Sequence, residues 1–506
     1  MSETKPYYTL FFITLHQHTE LCTGAAEHNA SGQSAIKNNS DVDLPTARNG
    51  QGDLFIRGTS FTGALLDQAR KLGLTIDDDI SGTERATNRS DNEKQPPFKA
   101  SRINVFNLYP KKQEAITTLF RQHVAINEQT GAAETGALYD LEVIPSQQEW
   151  RCVIEVDMTG MADDRTLTPD ALVATVLDHW KNHYLFLGHR PAAGYGWFKV
   201  EDAQILQLTT EHLFDYPDNT QPITTLSQPK KLLEASGLEL TSLFAKDKES
   251  LSSEKESSLI KKDLTPLVKQ LHIEYSLECG PNQDEEGNIW GLDGFFIGGH
   301  ELEAPQDWRE AGESISQHFN TGSDYQLTDS DFPDQFFVKD DKHDPFIPSG
   351  SVRGVLRHEV LRSHSKQAKT LFGDANGNHA KSSNLYISPA RLEPKQPWQG
   401  LVLHNHAEDE FTAGVYGSNK FCRTSIVQGK FCGEIILEYL TAPDTPDTLP
   451  PAIEEQKNAL LAALEKGANR QLPIGAKQWV DSGWLQWHYT VQKPDTATQQ
   501  TIQGDQ

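Results

Sequence analysis

The chain has 506 residues, 37% of them hydrophobic, and its 71 acidic residues outnumber 46 basic ones for a net charge of −25. That length exceeds one typical core and suits two or three domains. The charge argues against indiscriminate nucleic-acid binding, but screening confines the repulsion to about 8–10 Å and leaves room for a local basic groove.

No run approaches 18 consecutive apolar residues, so no membrane-spanning helix and no membrane partner is expected. Cys22, Cys152, Cys279, Cys422 and Cys432 are scattered without a C-x-x-C pair. That spacing argues against a disulfide framework and a structural zinc site, and it points to the cytoplasm. The opening MSETKPYYTLFFITLHQH has neither a basic region before its apolar run nor a small-residue cleavage site, so the run is expected to be a strand rather than a signal peptide.

Residues 7–17 (YYTLFFITLHQ) alternate as a first strand, and SFTGALLDQARKLG predicts a helix with Ser60 as its N-cap. A strand at SRINVFNL follows, then a Gly/Ala/Thr-rich hairpin (GAAETGALYDLEV) leading into WRCVIEVD, and a helix at TPDALVATVLDHWKNH. The series then recurs. LHIEYSLEC (271–279), SVRGVLRHEVLRSH capped by Ser351, SNLYISPARL, the hairpin TAGVYGSNKFCRTS, FCGEIILEYL and AIEEQKNALLAALEKG come in the same order. Strands alternating with two helices in an open antiparallel sheet predict an α+β, ferredoxin-like (RRM-like) plan for each copy, with long hairpin and loop insertions.

The recurrence keeps its spacing. FIRGTSFTGAL (55–65) aligns without gaps to FIPSGSVRGVL (346–356) at an offset of 291, and at that offset Asp43 matches Asp334. The intervals His123–Gly136–Trp150 equal those of His404–Gly417–Phe431, and Gly188 precedes Gly196-Trp197 as Gly475 precedes Gly483-Trp484. Four co-linear blocks in one order indicate a tandem duplication. Between the copies, 208–264 is rich in Ser, Thr, Lys, Glu and Pro, with one helical patch at KKLLEASGLELTSLF; such composition predicts a flexible linker. Residues 492–506 form a polar tail, expected to be disordered.

These blocks resemble the RAMP superfamily. FIRGTSFTGAL and FIPSGSVRGVLR are similar to its Ser/Gly helix start, and GHRPAAGYG (188–196) to its Gly-rich loop. HVAINEQTGAAETGALYDLEVIP (123–145) and TLFGD (370–374) followed by SSNLYISPA resemble segments of the backbone subunits of type III CRISPR effectors. The resemblance covers most of both halves but not the linker, and the second Gly block, GAKQWVDSG, is degenerate. It implies a fused, type III-D-like backbone subunit with RAMP domains at 1–207 and 265–491. The implied partners are a CRISPR guide RNA, a complementary target RNA and other effector subunits in an antiviral ribonucleoprotein. Each hairpin would be a thumb folding over guide RNA.

The chemistry of the residues is compatible with this. A Ser/Gly turn into a helix N-terminus is a natural phosphate site, so Arg57, Ser60 and Thr62 in the first half, and Ser351, Arg353 and Arg357 in the second, are expected to contact RNA. So are Gly188, His189, Arg190, Gly194 and Gly196, with Lys420 and Lys477; the plain alternatives are capped helices and a tight strand connection. SDVDLPTARN (40–49) resembles the loop that carries an aspartate for metal-dependent target cleavage, which makes Asp43, and Asp334 in FPDQFFVKD, the expected catalytic and metal-binding residues with transient Mg²⁺ or Mn²⁺. Asp41, Asp329 and Asp331 are rivals if the loops are shifted, and a turn-forming role is the simpler alternative. His16 and His18 share a strand face, where a metal pair is conceivable, although a stacking or surface role suits them better. Two further functions stay open: a non-catalytic RNA-binding subunit, and a metal-independent guide-processing endoribonuclease using His16 or His123 as acid and base.

Overall fold

The period-two pattern of the first strand decides how the first half is layered. In the computed structural model β1 (Tyr8–Gln17) turns Phe11, Ile13 and Leu15 inward. The structure describes residues 6–24, 43–82, 99–112, 116–126, 133–161, 165–209, 240–244, 259–261, 267–280, 282–283, 289–290, 294–298, 335–374, 381–408, 415–441, 449–476 and 482–492. Against the inward face of β1 lie α1 (Gly58–Lys71), through Phe61, Leu65 and Ala69 at helical spacing, and α3 (Pro169–Asn182), through Leu172, Val176 and Trp180. A one-turn α2 (Asp78–Ser81) separates α1 from β2 (Ile103–Val105) and β3 (Tyr109–Pro110). The hairpin β4 (Leu119–Ile126) and β5 (Ala133–Val143) leads to β6 (Glu149–Asp157). After α3 come β7 (Leu185–Phe186) and β8 (Trp197–Leu208). The sheet runs β2-β6-β1-β8-β7, with β1 antiparallel to both β6 and β8.

The second half repeats the arrangement. β10 (Val268–Cys279) is central, and α4 (Ser349–Ser363) buries Val352, Leu356 and Val360 beside α5 (Ser365–Leu371). α6 (Pro451–Ala468) buries Leu460 and Leu464. The sheet order is β13 (Phe346–Ile347), β15 (Ala390–Leu392), β17 (Val415–Leu440), β10 and β18 (Gln486–Val491), with β14 (Leu385–Ile387) and β16 (Gln399–Glu408) also paired to β17. β11 (Asn282–Gln283) and β12 (Ile289–Trp290) form a separate pair.

The 291-residue offset survives in hydrogen bonds. Asn49 Oδ1 accepts from the Gln51 and Asp53 amides as Asp340 Oδ1 accepts from those of Lys342 and Asp344. The Gly block that is degenerate in sequence is intact in backbone: Leu187 N–H donates to Gly196 O as Ile474 N–H does to Gly483 O, each at 2.9 Å. Gly188, Gly196, Gly475 and Gly483 all have positive φ. The hairpins drift by one residue, however. Leu44 bridges Leu141 and Gln335 bridges Arg423, so the return strands correspond at 282 rather than 281.

Two expectations change. The polar stretch 208–264 is not linker throughout, because β9 (Thr241–Ser242) pairs with β8 and Leu243, Phe244 and Ile260 enter the first core. Thr241 and Ser242 therefore end the expected helical patch in extended form, since edge pairing and burial of the two apolar residues outweigh local helical propensity; residues 210–239 and the tail 493–506 lie outside the described residues. The helix starts also move. α1 and α4 begin at Gly58 and Ser349 after Arg57 and Pro348, with no side-chain cap, and Ser60 and Ser351 lie in the first turn. Gly58 permits this start, since a Cβ there would sit 2.0 Å from Val105 O.

The halves meet at a seam. Phe186 stacks on Tyr386 at 4.1 Å, Tyr184 and Trp197 pack against Ile436, and Lys71 Nζ lies 2.7 Å from Glu438 Oε1. The turn 190–194 presses on the start of α4: Ser349 Oγ donates to Ala193 O, and Gly194 (φ +84°) leaves only 2.5 Å between a would-be Cβ and Ser349 Oγ. Gly194→Ala is therefore expected to cost about 1–3 kcal/mol through strain and overpacking. A lower thermal midpoint with faster proteolysis between the halves would bear this out, and an unchanged melt would contradict it.

Candidate nucleic-acid interface

Three elements of the first half converge at the N-terminus of α1. Ile56 bridges Leu108, the Gly58 amide donates to Asn107 Oδ1 at 3.0 Å, and Arg57 remains extended and exposed. Gly188 (φ +83°) passes so close to Cys22 O that a Cβ would be 2.5 Å away, and His189 N–H donates to that oxygen at 2.7 Å. Arg57, Ser60, Phe55, Gly188, His189 and Thr23 thereby line one cavity of about 180 Å³. A helix N-terminus with no cap from its own N-cap side chain, flanked by an exposed arginine and an exposed histidine, suits a phosphate group. Thr62 is spent locally, donating from Oγ1 to Gly58 O, and Gly196 serves the backbone turn.

The Asp43 loop lies along the return strand of the hairpin. Asp43 is exposed, and its Oδ2 accepts from the Asp140 amide at 2.9 Å. Leu44 N–H donates to Asp140 O, and Glu142 N–H donates to Leu44 O. The fully buried Glu142 carboxylate accepts from Thr46 N–H, Arg48 Nη2 and Thr118 Oγ1. Burial alone would raise its pKa, but these hydrogen bonds, with Thr118 foremost, hold it below the usual range. The Oδ1 atom of Asp140 is buried without a hydrogen-bond partner. Nothing in ALYDLEV singles out Asp140 and Glu142, because their partners lie in a distant loop.

The hairpin base carries a ladder of rings. Arg190, at left-handed φ, covers Tyr139 at 5.1 Å; Tyr139 stacks on His123 at 5.3 Å, and His123 Nε2 meets Tyr195 OH at 2.9 Å. Burial, assisted by Arg190, depresses the His123 pKa to about 4. Beside it Arg121 grips Glu20 through Nε and Nη2 and lies over Phe346 of the other half. Further out, the cross-strand partners Val124 and Leu138 are 46% and 61% exposed.

The second-half residues fare differently. Arg353, expected at RNA, is committed to the main-chain oxygens of Ala192, Leu385 and Phe372, so its guanidinium joins the halves, and burial lowers its pKa to about 10. The same contact covers the α4 start beside Ser351, whereas Arg357 is exposed on α4. Asp334 and Lys477 lie outside the described residues, as do the rivals Asp41, Asp329 and Asp331. Lys420 pairs with His406 in the β16–β17 ladder, and its side chain lies outside the described residues. His16 Nε2 meets Gln147 Oε1, while His18 packs edge-on against Tyr184 at the seam; among the described residues no group of three or more His, Cys, Asp or Glu is gathered to hold a metal.

Among the described residues no helix is long and apolar enough to cross a membrane. The family model of the RAMP superfamily matches residues 14–199. That segment takes in the Asp43 loop, the α1 start, the first hairpin and the Gly-rich turn. No curated protein matches the chain.

Proposed function

We propose that the chain is a tandem RAMP backbone subunit of a type III CRISPR effector, built of two ferredoxin-like domains that hold guide RNA and cleave a complementary target with Mg²⁺ through Asp43. The match over residues 14–199 supports RAMP membership and, with it, an association with CRISPR-linked RNA binding. The strand order in which β1 lies between β6 and β8, repeated around β10, supports the ferredoxin-like reading of both halves. The observation that carries the proposal is the joining of the Arg57–Ser60–His189 cavity, the Asp43 loop and the ringed hairpin base on one half.

The residues present fit a hydrated divalent ion. Asp43 offers an exposed carboxylate with one oxygen engaged, and Asp140 offers an orphaned oxygen on the neighbouring strand. Mg²⁺ commonly takes one or two carboxylates and completes its shell with water and substrate phosphate. When bound it would polarise the scissile phosphate, while the chain orients the RNA by helix terminus and hairpin. In the metal-independent alternative His16 would be the acid–base group, because His123 is stacked on Tyr139 and bonded to Tyr195.

Purified with its genomic neighbours, the chain should carry a small RNA of defined length, visible as excess absorbance at 260 nm; a nucleic-acid-free assembly would overturn the proposal. Arg57→Ala should weaken RNA retention and reduce the log–log salt slope by about 0.7–0.9, the loss of one phosphate contact. An unchanged slope would remove Arg57 from the interface.

A further inference from the structure

We propose that Glu142 is a positioning residue that fixes the Asp43 loop, and that its carboxylate makes the first half the cutting half of the pair. This rests on reading Asp43 as the cleavage carboxylate. Asp43 is an exposed residue in an irregular segment, and its own carboxylate is tied by the Asp140 amide. The segment is also held from Glu142, two residues further along β5. There Glu142 takes Thr46 N–H on one oxygen at 2.9 Å, and Arg48 Nη2 and Thr118 Oγ1 on the other at 2.9 and 2.7 Å. A carboxylate removed from water is tolerated only when hydrogen-bonded and paired, and Glu142 has both kinds of partner. Strand 140–142 therefore grips the loop at both ends, through Asp140 N–H on Asp43 and through the Glu142 carboxylate on Thr46 and Arg48.

The second half supplies an internal comparison. Thr424 N–H donates to Gln335 O at 3.0 Å, as Glu142 N–H donates to Leu44 O at 3.0 Å. The residue matching Thr46 at offset 291 is Phe337, and its amide donates to Thr424 Oγ1 at 2.9 Å. Thr424 thus stands where Glu142 stands, keeps the amide contact and lacks the charge that holds Arg48. The loop that follows Asp334 is clasped by a hydroxyl where the loop of Asp43 is clasped by a carboxylate. A misplacement of about 1 Å in a reacting group can cost about 10²-fold in rate, which sets the scale on which a carboxylate clasp and a hydroxyl clasp would differ.

The test uses the complete effector assembled with its RNA, Mg²⁺ or Mn²⁺, and a labelled RNA complementary to the sequenced RNA that co-purifies. Glu142→Gln should lower kcat by about 10–100-fold with KM and RNA retention unchanged. It should also weaken the Mn²⁺ signal that Asp43 supports, read by electron paramagnetic resonance. Glu142→Asp should restore part of kcat, and Arg48→Met and Thr118→Val, each removing one donor, should give smaller losses if Glu142→Gln fails to assemble. Wild-type kcat in Glu142→Gln would overturn the inference, as would parallel losses of kcat, RNA retention and thermal midpoint, which mark a purely structural group. Asp43→Asn separates the two levels: abolished cleavage there with full cleavage in Glu142→Gln sinks the positioning role alone, whereas normal cleavage in Asp43→Asn sinks the reading beneath it.

Discussion

Asp43→Ala should reduce cleavage of a complementary RNA by about 10²–10⁴-fold, the rate equivalent of losing several kcal/mol of metal-borne transition-state stabilisation, and leave RNA content and assembly unchanged. The expectation of intact assembly follows from geometry: the Asp43 side chain is exposed, and its structural contact is one hydrogen bond from Asp140 N–H. The main-chain bonds of Leu44 to Asp140 and Glu142 remain in the variant, so the loop keeps its course. The rate of target cleavage by the variant complex, measured beside its 260 nm absorbance, checks both parts. Unchanged cuts would favour the non-catalytic subunit, and Asp334→Ala, singly and with Asp43→Ala, would report any share of the second loop. Cleavage that persists in EDTA would point instead to the metal-independent reading.

Arg121→Ala should be the most destabilising single change at the seam. Arg121 and Glu20 are both buried, and Nε and Nη2 of the arginine embrace the two carboxylate oxygens. Removing one partner of such a pair costs about 3–5 kcal/mol, because the other charge is left buried without its counter-ion. The sign of the pH dependence should also change. Burial alone would raise the Glu20 pKa, but Arg121 outweighs it and holds the group below the ordinary value. In the parent this contribution is complete above the ordinary glutamate pKa and is lost as pH falls through the depressed folded value. Without Arg121 the buried carboxyl titrates higher, so the variant should lose stability as pH rises. Thermal midpoints across acid to neutral pH read this directly, and a variant with the parent's slope would contradict it.

Much of the fold was legible because its signals are local. Alternation in YYTLFFITLHQ and LHIEYSLEC marked the central strands, and apolar spacing in TPDALVATVLDHWKNH marked α3 to within a residue at each end. Ser60 and Ser351 point to helix starts later than Gly58 and Ser349; at α1 the close passage of Gly58 under Val105 is a tertiary fact that no capping pattern carries. The letters between Gly475 and Gly483 depart from the Gly-rich pattern, yet a turn of this kind needs only the two positive-φ positions and one hydrogen bond. Arg353 misled for a related reason. An arginine beside a helix start suits a phosphate, and only the packing of the halves shows three carbonyl oxygens already there. The Asp43 loop stands out in the sequence through its spacing and resemblance, whereas Asp140 and Glu142 gain meaning only when that loop is laid beside β5.

RNA should run across the first half between the α1 start and the hairpin. Ultraviolet cross-linking of the assembled complex, followed by mass spectrometry of the protein–RNA adducts, tests it most directly. The expected result is adducts on peptides spanning 54–66, 119–143 and 185–199, with those at 54–66 diminished in Arg57→Ala. Adducts confined to other surfaces of the chain, or none from a complex that holds RNA, would rule out that path.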